Sequence, residues 1–269
     1  LNLAKKTLFK DTYKAAIELK KLGINGNFAP VLDLKHYPHQ LPKDCNKDCY
    51  ITNDRSYSND PKIISALANE FIKASIKAGI IPSTKHMPGL GRTNVDTHKG
   101  IAIINTEKKI LSETDFLPFK DLASKTKLAM VNHAIYSAID SKPTSLSAEI
   151  VKIIREEIKF EGLLITDALN MGGLKDYDFH ERAALSFAAG IDVIMPHIIP
   201  IVHNVALANS LTEEQIIKFN QKLEKLDLKG DTSFALALEA QERGHTIHHF
   251  TPDALILRSN KVLANICKF

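Results

Sequence analysis

The stretch SAEIVKIIREEIKFEGLLITDALNM, residues 147–171, decides the fold of this chain. Apolar residues recur at helical spacing in its first half, and its second half is a short apolar run, GLLI, followed closely by Asp167. A helix followed by a buried strand is one unit of an α/β protein. A polar residue at the end of the strand lies where parallel sheets carry their chemistry, so Asp167 is a candidate functional residue.

The same helix-then-strand unit recurs along the chain. The strand candidates are NFAPVLDL (27–34), IIPSTKH (80–86), KLAMVNHAIY (127–136), GLLITDALNM (162–171) and IDVIMP (191–196), and the helical patterns lie at 3–22, 63–79, 112–125, 147–160 and 180–190. This alternation predicts an α/β protein with a parallel sheet covered by helices. The polar strand ends favour a (β/α)8 barrel of the TIM type, with a doubly wound sheet as the alternative.

Composition narrows the class of protein. The chain has 269 residues, 44% of them hydrophobic, and a net charge of +4 without a Lys/Arg block, which gives little support to a nucleic-acid partner. Three cysteines, Cys45, Cys49 and Cys267, are too few for a disulfide framework and favour a reducing cytoplasm. No second ligand pair accompanies Cys45 and Cys49, so no zinc site is expected. No membrane span or signal peptide is predicted.

The densest group of candidate functional residues is KHMPGLGRTNVDTHKG, residues 85–100. Lys85 and His86 end a strand and can donate hydrogen bonds to a polyhydroxylated or acetamido ligand. Asp96 can orient His98 and stabilise its cation, which suits a general acid and base. Taken alone, each residue also has an ordinary explanation, such as a solvated lysine, a hydrogen-bonded core histidine or a turn aspartate.

Four ordered segments resemble the bacterial β-N-acetylglucosaminidases of glycoside hydrolase family three. They are NFAPVLDL (27–34), DRSYSNDP (54–61), KHMPGLGRTNVDTH (85–98) and LLITDALNM (163–171). The resemblance implies three groups of site residues and no cofactor or metal. They are the nucleophile Asp167, the acid/base His98 with its partner Asp96, and the sugar-binding residues Arg55, Lys85 and His86.

By this resemblance the reaction is retaining exo-hydrolysis of terminal β-linked N-acetylglucosamine. The implied substrate is an N-acetylglucosaminyl-anhydromuropeptide of cytoplasmic cell-wall recycling, and the resemblance leaves the oligomeric state open. Leu90 stands where the family usually has histidine, which implies an apolar side chain beside the sugar. A metal-dependent barrel hydrolase using His86, His98, His133 and Asp167 is a less favoured alternative.

The two ends of the chain differ from the family pattern. Family barrels have two strand–helix units before the equivalent of residue 1, so we expect residues 1–225 to form a partial barrel, and an inactive glycosidase remnant is a second hypothesis. Residues 226–269 change character: a helical pattern precedes two strand-like runs. This segment resembles the opening βαβ unit of bacterial glutathione synthetases around Gly230, Asp231 and Thr232. It includes no ATP site, so no ligase activity is expected.

Overall fold

The computed structural model describes residues 1–35, 55–93 and 95–195, together with four short strands between residues 248 and 268. The helices are α1 Asn2–Lys21, α2 Pro61–Lys77, α3 Lys108–Glu113, α4 Leu117–Leu122, α5 Ala148–Glu156 and α6 Phe179–Ala189. The strands up to residue 195 are β1 Gly26–Asn27, β2 Ile81–Met87, β3 Ile103–Ile104, β4 Leu128–Val131, β5 Ile135–Tyr136, β6 Leu163–Ala168 and β7 Val193–Met195.

Local capping explains where several helices begin. The side chains of Asp60, Ser147 and Asp178 accept hydrogen bonds from the first-turn N–H groups of α2, α5 and α6. Such caps satisfy donors that have no partner within the helix. Helix α6 ends at Gly190, whose φ of +98° is the left-handed conformation that glycine adopts without steric cost.

The prediction of a single helix at 112–125 is wrong, because the structure has two short helices in this region, followed by a short 3-10 turn. Thr114 leaves the helical conformation, and its hydroxyl donates to the carbonyl oxygen of Ile110 at 2.6 Å. Pro118, which has no N–H to donate, lies in the first turn of α4, where that loss costs nothing. The buried carboxylate of Asp115 between the two helices accepts from Arg92 Nε at 2.6 Å.

Five strands form one parallel sheet in the order β1-β2-β4-β6-β7. The sheet is curled and flanked by helices, so it constitutes a half-barrel and confirms the predicted barrel class. The strand order follows the chain order without reversal, whereas a doubly wound sheet reverses at a switch point. A separate small parallel pair, β3 with β5, lies outside this sheet.

The main core lies between the sheet and its helices. Leu32, Ile64, Phe119 and Ile154 are among its fully buried side chains. The guanidinium of Arg155 on α5 donates to Asp192 at 2.7 Å, and the same carboxylate oxygen accepts from the backbone N–H of Leu164. This ion pair joins α5 to the start of β6 and to the segment just before β7.

The described C-terminal strands are short and antiparallel. β9 Leu255–Arg258 pairs with β10 Lys261–Ala264, and β8 His248–His249 pairs with β11 Cys267–Lys268. The predicted division after residue 225 and the cysteines at 45 and 49 lie outside the described residues. Within the part that is described, no helix is both long and apolar enough to cross a membrane.

Candidate active site

Polar side chains gather at the carboxyl ends of adjacent parallel strands. Asp33 lies beyond β1, where a bridge between Val31 and Lys85 continues the pairing with β2. Lys85 and His86 lie near the end of β2, and Asp167 lies at the end of β6. Because β2, β4 and β6 are successive neighbours, their ends share one edge of the sheet. This is the edge on which barrel enzymes carry their active sites.

Asp33 is fully buried and holds the end of β2. Its Oδ2 lies 2.6 Å from His86 Nδ1, and its Oδ1 accepts from the backbone N–H of Leu90 at 2.7 Å and of His86 at 3.2 Å. A carboxylate that accepts several N–H bonds is well satisfied even without water. Asp33 therefore fixes both the histidine ring and the loop that follows it.

The side chain of Leu90 packs in the main core and is 3% exposed. The sequence implied an apolar group beside the sugar, whereas the structure gives this side chain a core position. Its contribution at the strand ends is the backbone N–H that Asp33 accepts. Any residue other than proline supplies that donor, so the contact does not depend on the leucine side chain.

Asn132, directly after β4, supports the same end of β2 from the other side. Its amide nitrogen lies 3.1 Å from the carbonyl oxygens of His86 and Met87, and its Oδ1 accepts from the N–H of Ala134. The hydroxyl of Tyr136 donates to the carbonyl oxygen of Gly89 at 2.6 Å. Burial raises the pKa of Tyr136 well above its usual value, so this donor keeps its proton.

Lys85 shares its electrostatic environment with Arg55, Asp167 and Asp33. Burial lowers the pKa of Lys85, the positive charge of Arg55 lowers it further, and the two carboxylates oppose both effects. Arg55 is exposed, whereas Asp167 is half-buried and its Oδ1 accepts from the N–H of Ala168 at 2.8 Å. Arg55, Asp167 and Asp33 therefore lie near enough to Lys85 to influence its charge.

Asp96 and His98 form a hydrogen-bonded pair on the loop after β2. Asp96 Oδ1 lies 2.8 Å from His98 Nδ1 and also accepts from the backbone N–H of His98 at 2.9 Å. Partial burial raises the pKa of Asp96, but the hydrogen bonds from His98 outweigh it, so the pKa lies below its usual value. The imidazole is 66% exposed, which leaves its Nε2 side open to a substrate.

The loop that carries this pair is fixed to the segment that follows Asp167. The N–H of Gly172 donates to the carbonyl oxygen of His98 at 3.1 Å, and the N–H of Gly173 donates to that of Thr97 at 2.8 Å. A Cβ on Gly172 would lie 2.6 Å from the carbonyl carbon of Lys99. Gly172 therefore permits a close backbone contact between the histidine loop and the segment that follows β6.

His133, the second residue after β4, is fully buried beside Asp167. Its Nε2 lies 3.1 Å from the carbonyl oxygen of Ala168, so this nitrogen carries the proton, and Nδ1 accepts from the Ser145 hydroxyl at 2.8 Å. Burial lowers the pKa of His133 to about 4, although the negative charge of Asp167 acts in the opposite direction. The ring is neutral near pH 7 and holds the carbonyl group of Ala168, the residue after Asp167.

The charges of Arg55 and Asp167 thus both act on Lys85. The loop that carries His98 is hydrogen-bonded to the segment that follows Asp167. No role was predicted from the sequence for Asp33, Gly172 or Gly173. A glycine pair five residues after the proposed nucleophile was the available signal.

The metal-hydrolase alternative needs a group of ligands that the described residues do not form. In residues 1–35, 55–93 and 95–195, no three His, Cys, Asp or Glu side chains lie close enough together to hold an ion. His133 uses both ring nitrogens on protein partners, and His86 gives its Nδ1 to Asp33.

Comparison with known proteins gives two family matches. Residues 4–226 match the N-terminal domain of glycosyl hydrolase family 3, and residues 216–269 match the N-terminal domain of prokaryotic glutathione synthetase. Beta-hexosaminidase A of Pseudoalteromonas piscicida is 29% identical over 262 residues, covering 86% of this chain and 42% of that protein. A beta-hexosaminidase of Haemophilus influenzae is 35% identical over 187 residues, covering 68% of this chain and 50% of that protein.

Solved structures give the same fold. The family 3 β-N-acetylglucosaminidase from Paenibacillus sp. FPU-7 superposes with a TM-score of 0.75 at 23% identity, covering 85% of this chain and 44% of that one. The β-N-acetylglucosaminidase from Thermotoga maritima gives a TM-score of 0.70 at 24% identity, covering 92% of this chain and 54% of that one. The chain spans about half the length of the curated relatives it matches.

Proposed function

The chain belongs to glycosyl hydrolase family 3, and from that premise we propose that it hydrolyses terminal β-linked N-acetylglucosamine with retention of configuration. One observation carries the proposal. The carboxylate of Asp167 lies within the electrostatic reach of Lys85, and the loop bearing the Asp96–His98 pair is hydrogen-bonded to the segment that follows Asp167. Relatives named beta-hexosaminidases support the substrate class.

In the first step Asp167 attacks the anomeric carbon and the bond to the leaving oxygen breaks. His98 gives its Nε2 proton to that oxygen while its Nδ1 stays bonded to Asp96. In the second step His98 takes a proton from water, and the water oxygen replaces Asp167 at the same carbon. Asp96 stabilises the imidazolium form that the first step requires.

Arg55, Lys85 and His86 hold the sugar in this proposal. The guanidinium of Arg55 offers donors in a rigid fork, and the ammonium of Lys85 donates to hydroxyl or acetamido oxygens. The half-buried position of Lys85 strengthens such bonds because less water competes for its donors. For the rest of the substrate we propose an anhydromuropeptide, and for the location of the protein the cytoplasm.

The decisive experiment is hydrolysis of a chromogenic N-acetyl-β-glucosaminide by the full chain, with Asp167→Ala as the control. Turnover that disappears in this variant, with an unchanged circular dichroism spectrum, supports the proposal. Folded protein without turnover supports the inactive remnant instead. Release of N-acetylglucosamine from anhydromuropeptides, compared with chitobiose, then tests the finer substrate proposal.

A further inference from the structure

Asp33 and His86 form a buried hydrogen-bonded pair, and this pairing determines which ring nitrogen of His86 carries the proton. Two backbone N–H groups, those of His86 and Leu90, donate to the Asp33 side chain, and the ring nitrogen Nδ1 of His86 lies against the same carboxylate. Such a set suits the ionised carboxylate, which only accepts hydrogen bonds. The ring proton of His86 therefore lies on Nδ1, 2.6 Å from Asp33 Oδ2.

The other nitrogen of the His86 ring is Nε2, on the side of the ring away from Asp33. The side chain is 7% exposed, and its Nε2 has no hydrogen-bond partner among the described residues. A nearly buried ring at the active-site edge, with one nitrogen that has no hydrogen-bond partner in the described part of the chain, is suited to a ligand atom.

Resting on the proposed function, we propose that Asp33 is a positioning residue that fixes His86 with its proton on Nδ1, so that Nε2 accepts a hydrogen bond from a sugar hydroxyl. Lys85, the preceding residue, has only donors. The two neighbouring side chains would thus offer one donor and one acceptor to the sugar. This assigns His86 the opposite hydrogen-bonding role to the donor predicted from the sequence.

The rest of the local structure holds the ring in this orientation. The side-chain amide of Asn132 donates to the carbonyl oxygen of His86 at 3.1 Å. The backbone N–H of Leu32 donates to the carbonyl oxygen of Lys85 at 2.6 Å. The backbone on both sides of His86 is therefore fixed, by Leu32 in the segment beyond β1 and by Asn132 directly after β4. With the backbone held, the choice of ring tautomer depends on the group facing Nδ1, which is the Asp33 carboxylate.

The first test is the tautomer of His86 in the sugar-free full chain at pH 8, read from long-range proton–nitrogen NMR spectra. In the wild type we expect the proton on Nδ1 and the lone pair on Nε2. In Asp33→Asn, the amide group can donate to Nδ1, and we expect the proton to move to Nε2. Asp192→Asn is the matched control, since it also removes a carboxylate that accepts a backbone N–H, but the side-chain partner of Asp192 is Arg155 and not His86.

A wild-type ring with its proton on Nε2 would overturn the proposal, as would an unchanged tautomer in folded Asp33→Asn. These measurements need neither turnover nor bound sugar. If Asp33→Asn does not fold, the wild-type spectrum still decides where the proton lies.

The second test is binding of N-acetylglucosamine by calorimetry and, where the chain is active, the steady-state constants. Asp33→Asn is expected to weaken binding and raise KM roughly tenfold to a hundredfold, with a smaller change in kcat, as for loss of one strong hydrogen bond. In the His86→Gln background the same substitution should have little effect, because Asp33 acts through His86. An equal effect in both backgrounds would show that Asp33 acts by another route. If the His86 tautomer is as expected but the chain shows no turnover, the proposed function is rejected and the role of Asp33 in positioning His86 is retained.

Discussion

His133 is a buried group whose protonation is coupled to folding. Burial lowers its pKa to about 4 in the folded chain, whereas an unfolded histidine titrates near 6.5. Between these values the unfolded state binds more protons, so the free energy of unfolding rises with pH. The stabilisation is fully present above about pH 6.5 and is lost as the pH falls through 4, a change of about 3 kcal/mol.

The first prediction is that removing this histidine flattens that pH dependence. Urea unfolding between pH 7.5 and pH 4 should show the decline in the wild type and a smaller one in His133→Gln. His98→Gln is the control, because its imidazole is largely exposed and its loss should leave the decline in place. A His133→Gln protein with the wild-type pH dependence would contradict the buried neutral histidine.

The second prediction concerns His98 as the proton donor. The kcat/KM of the wild type should have a bell-shaped pH profile, falling on the alkaline side as His98 loses its proton. His98→Ala should lose that alkaline limb with an activated aryl substrate, whose leaving group needs little protonation. With an unactivated substrate its rate should fall by roughly 100-fold to 10,000-fold.

Lys99→Ala is a matched control for this experiment, since Lys99 is an exposed neighbour on the same loop. Its profile should keep both limbs. Persistence of the alkaline limb in His98→Ala would mean that another group donates the proton.

At the scale of elements, the contact between the histidine loop and the segment after β6 sets where His98 lies. The third prediction is that Gly172→Ala lowers kcat about tenfold or more, because a Cβ there would displace the backbone of Lys99 and Gly100. Gly26→Ala is the control, since the nearest atom to its added Cβ is 3.9 Å away. Pre-steady-state kinetics would measure the chemical step in both variants.

A Gly172→Ala enzyme with unchanged chemistry would show that the loop position does not depend on this contact. Thermal unfolding of both variants separates a displaced loop from a destabilised fold.

Much of the element order was predictable because it depends on local patterns. Apolar spacing and the capping residues Asp60 and Ser147 mark the helices, and apolar runs mark the strands. The strand predicted over 27–34 is shorter, with sheet pairing at Gly26–Asn27 and a bridge at Val31, and Pro30 between them has no N–H to donate. These departures follow from hydrogen-bonding capacity that apolar spacing does not report.

The contacts within the candidate site were less predictable, because they join residues far apart in the chain. Asp33 and His86 are separated by 53 positions, and no periodic pattern relates them. The contact of Gly172 with Lys99 and Gly100 likewise depends on the sheet order. Local sequence supplied the residue types of the site, whereas tertiary structure decided their pairing.

At the scale of the whole molecule, the described half-barrel contains all the residues proposed for catalysis and sugar binding. They are Arg55, Lys85, His86, Asp96, His98 and Asp167. The two family matches meet at residues 216–226, beyond these positions. Since domains have their own cores, we propose that residues 1–225 and 226–269 fold as separate units.

The fourth prediction follows from this division. Removing residues 226–269 should leave the unfolding midpoint of the remaining chain within about 2 °C of its value in the full chain, since few contacts cross a domain boundary. Ile154→Ala, which truncates a fully buried core side chain, should destabilise the full and shortened chains equally, by about 2–5 kcal/mol. Equal losses are expected only when the deleted segment does not share that core. Calorimetry of the four proteins measures both effects, and a shortened chain with a much lower midpoint would show that the C-terminal segment stabilises the half-barrel.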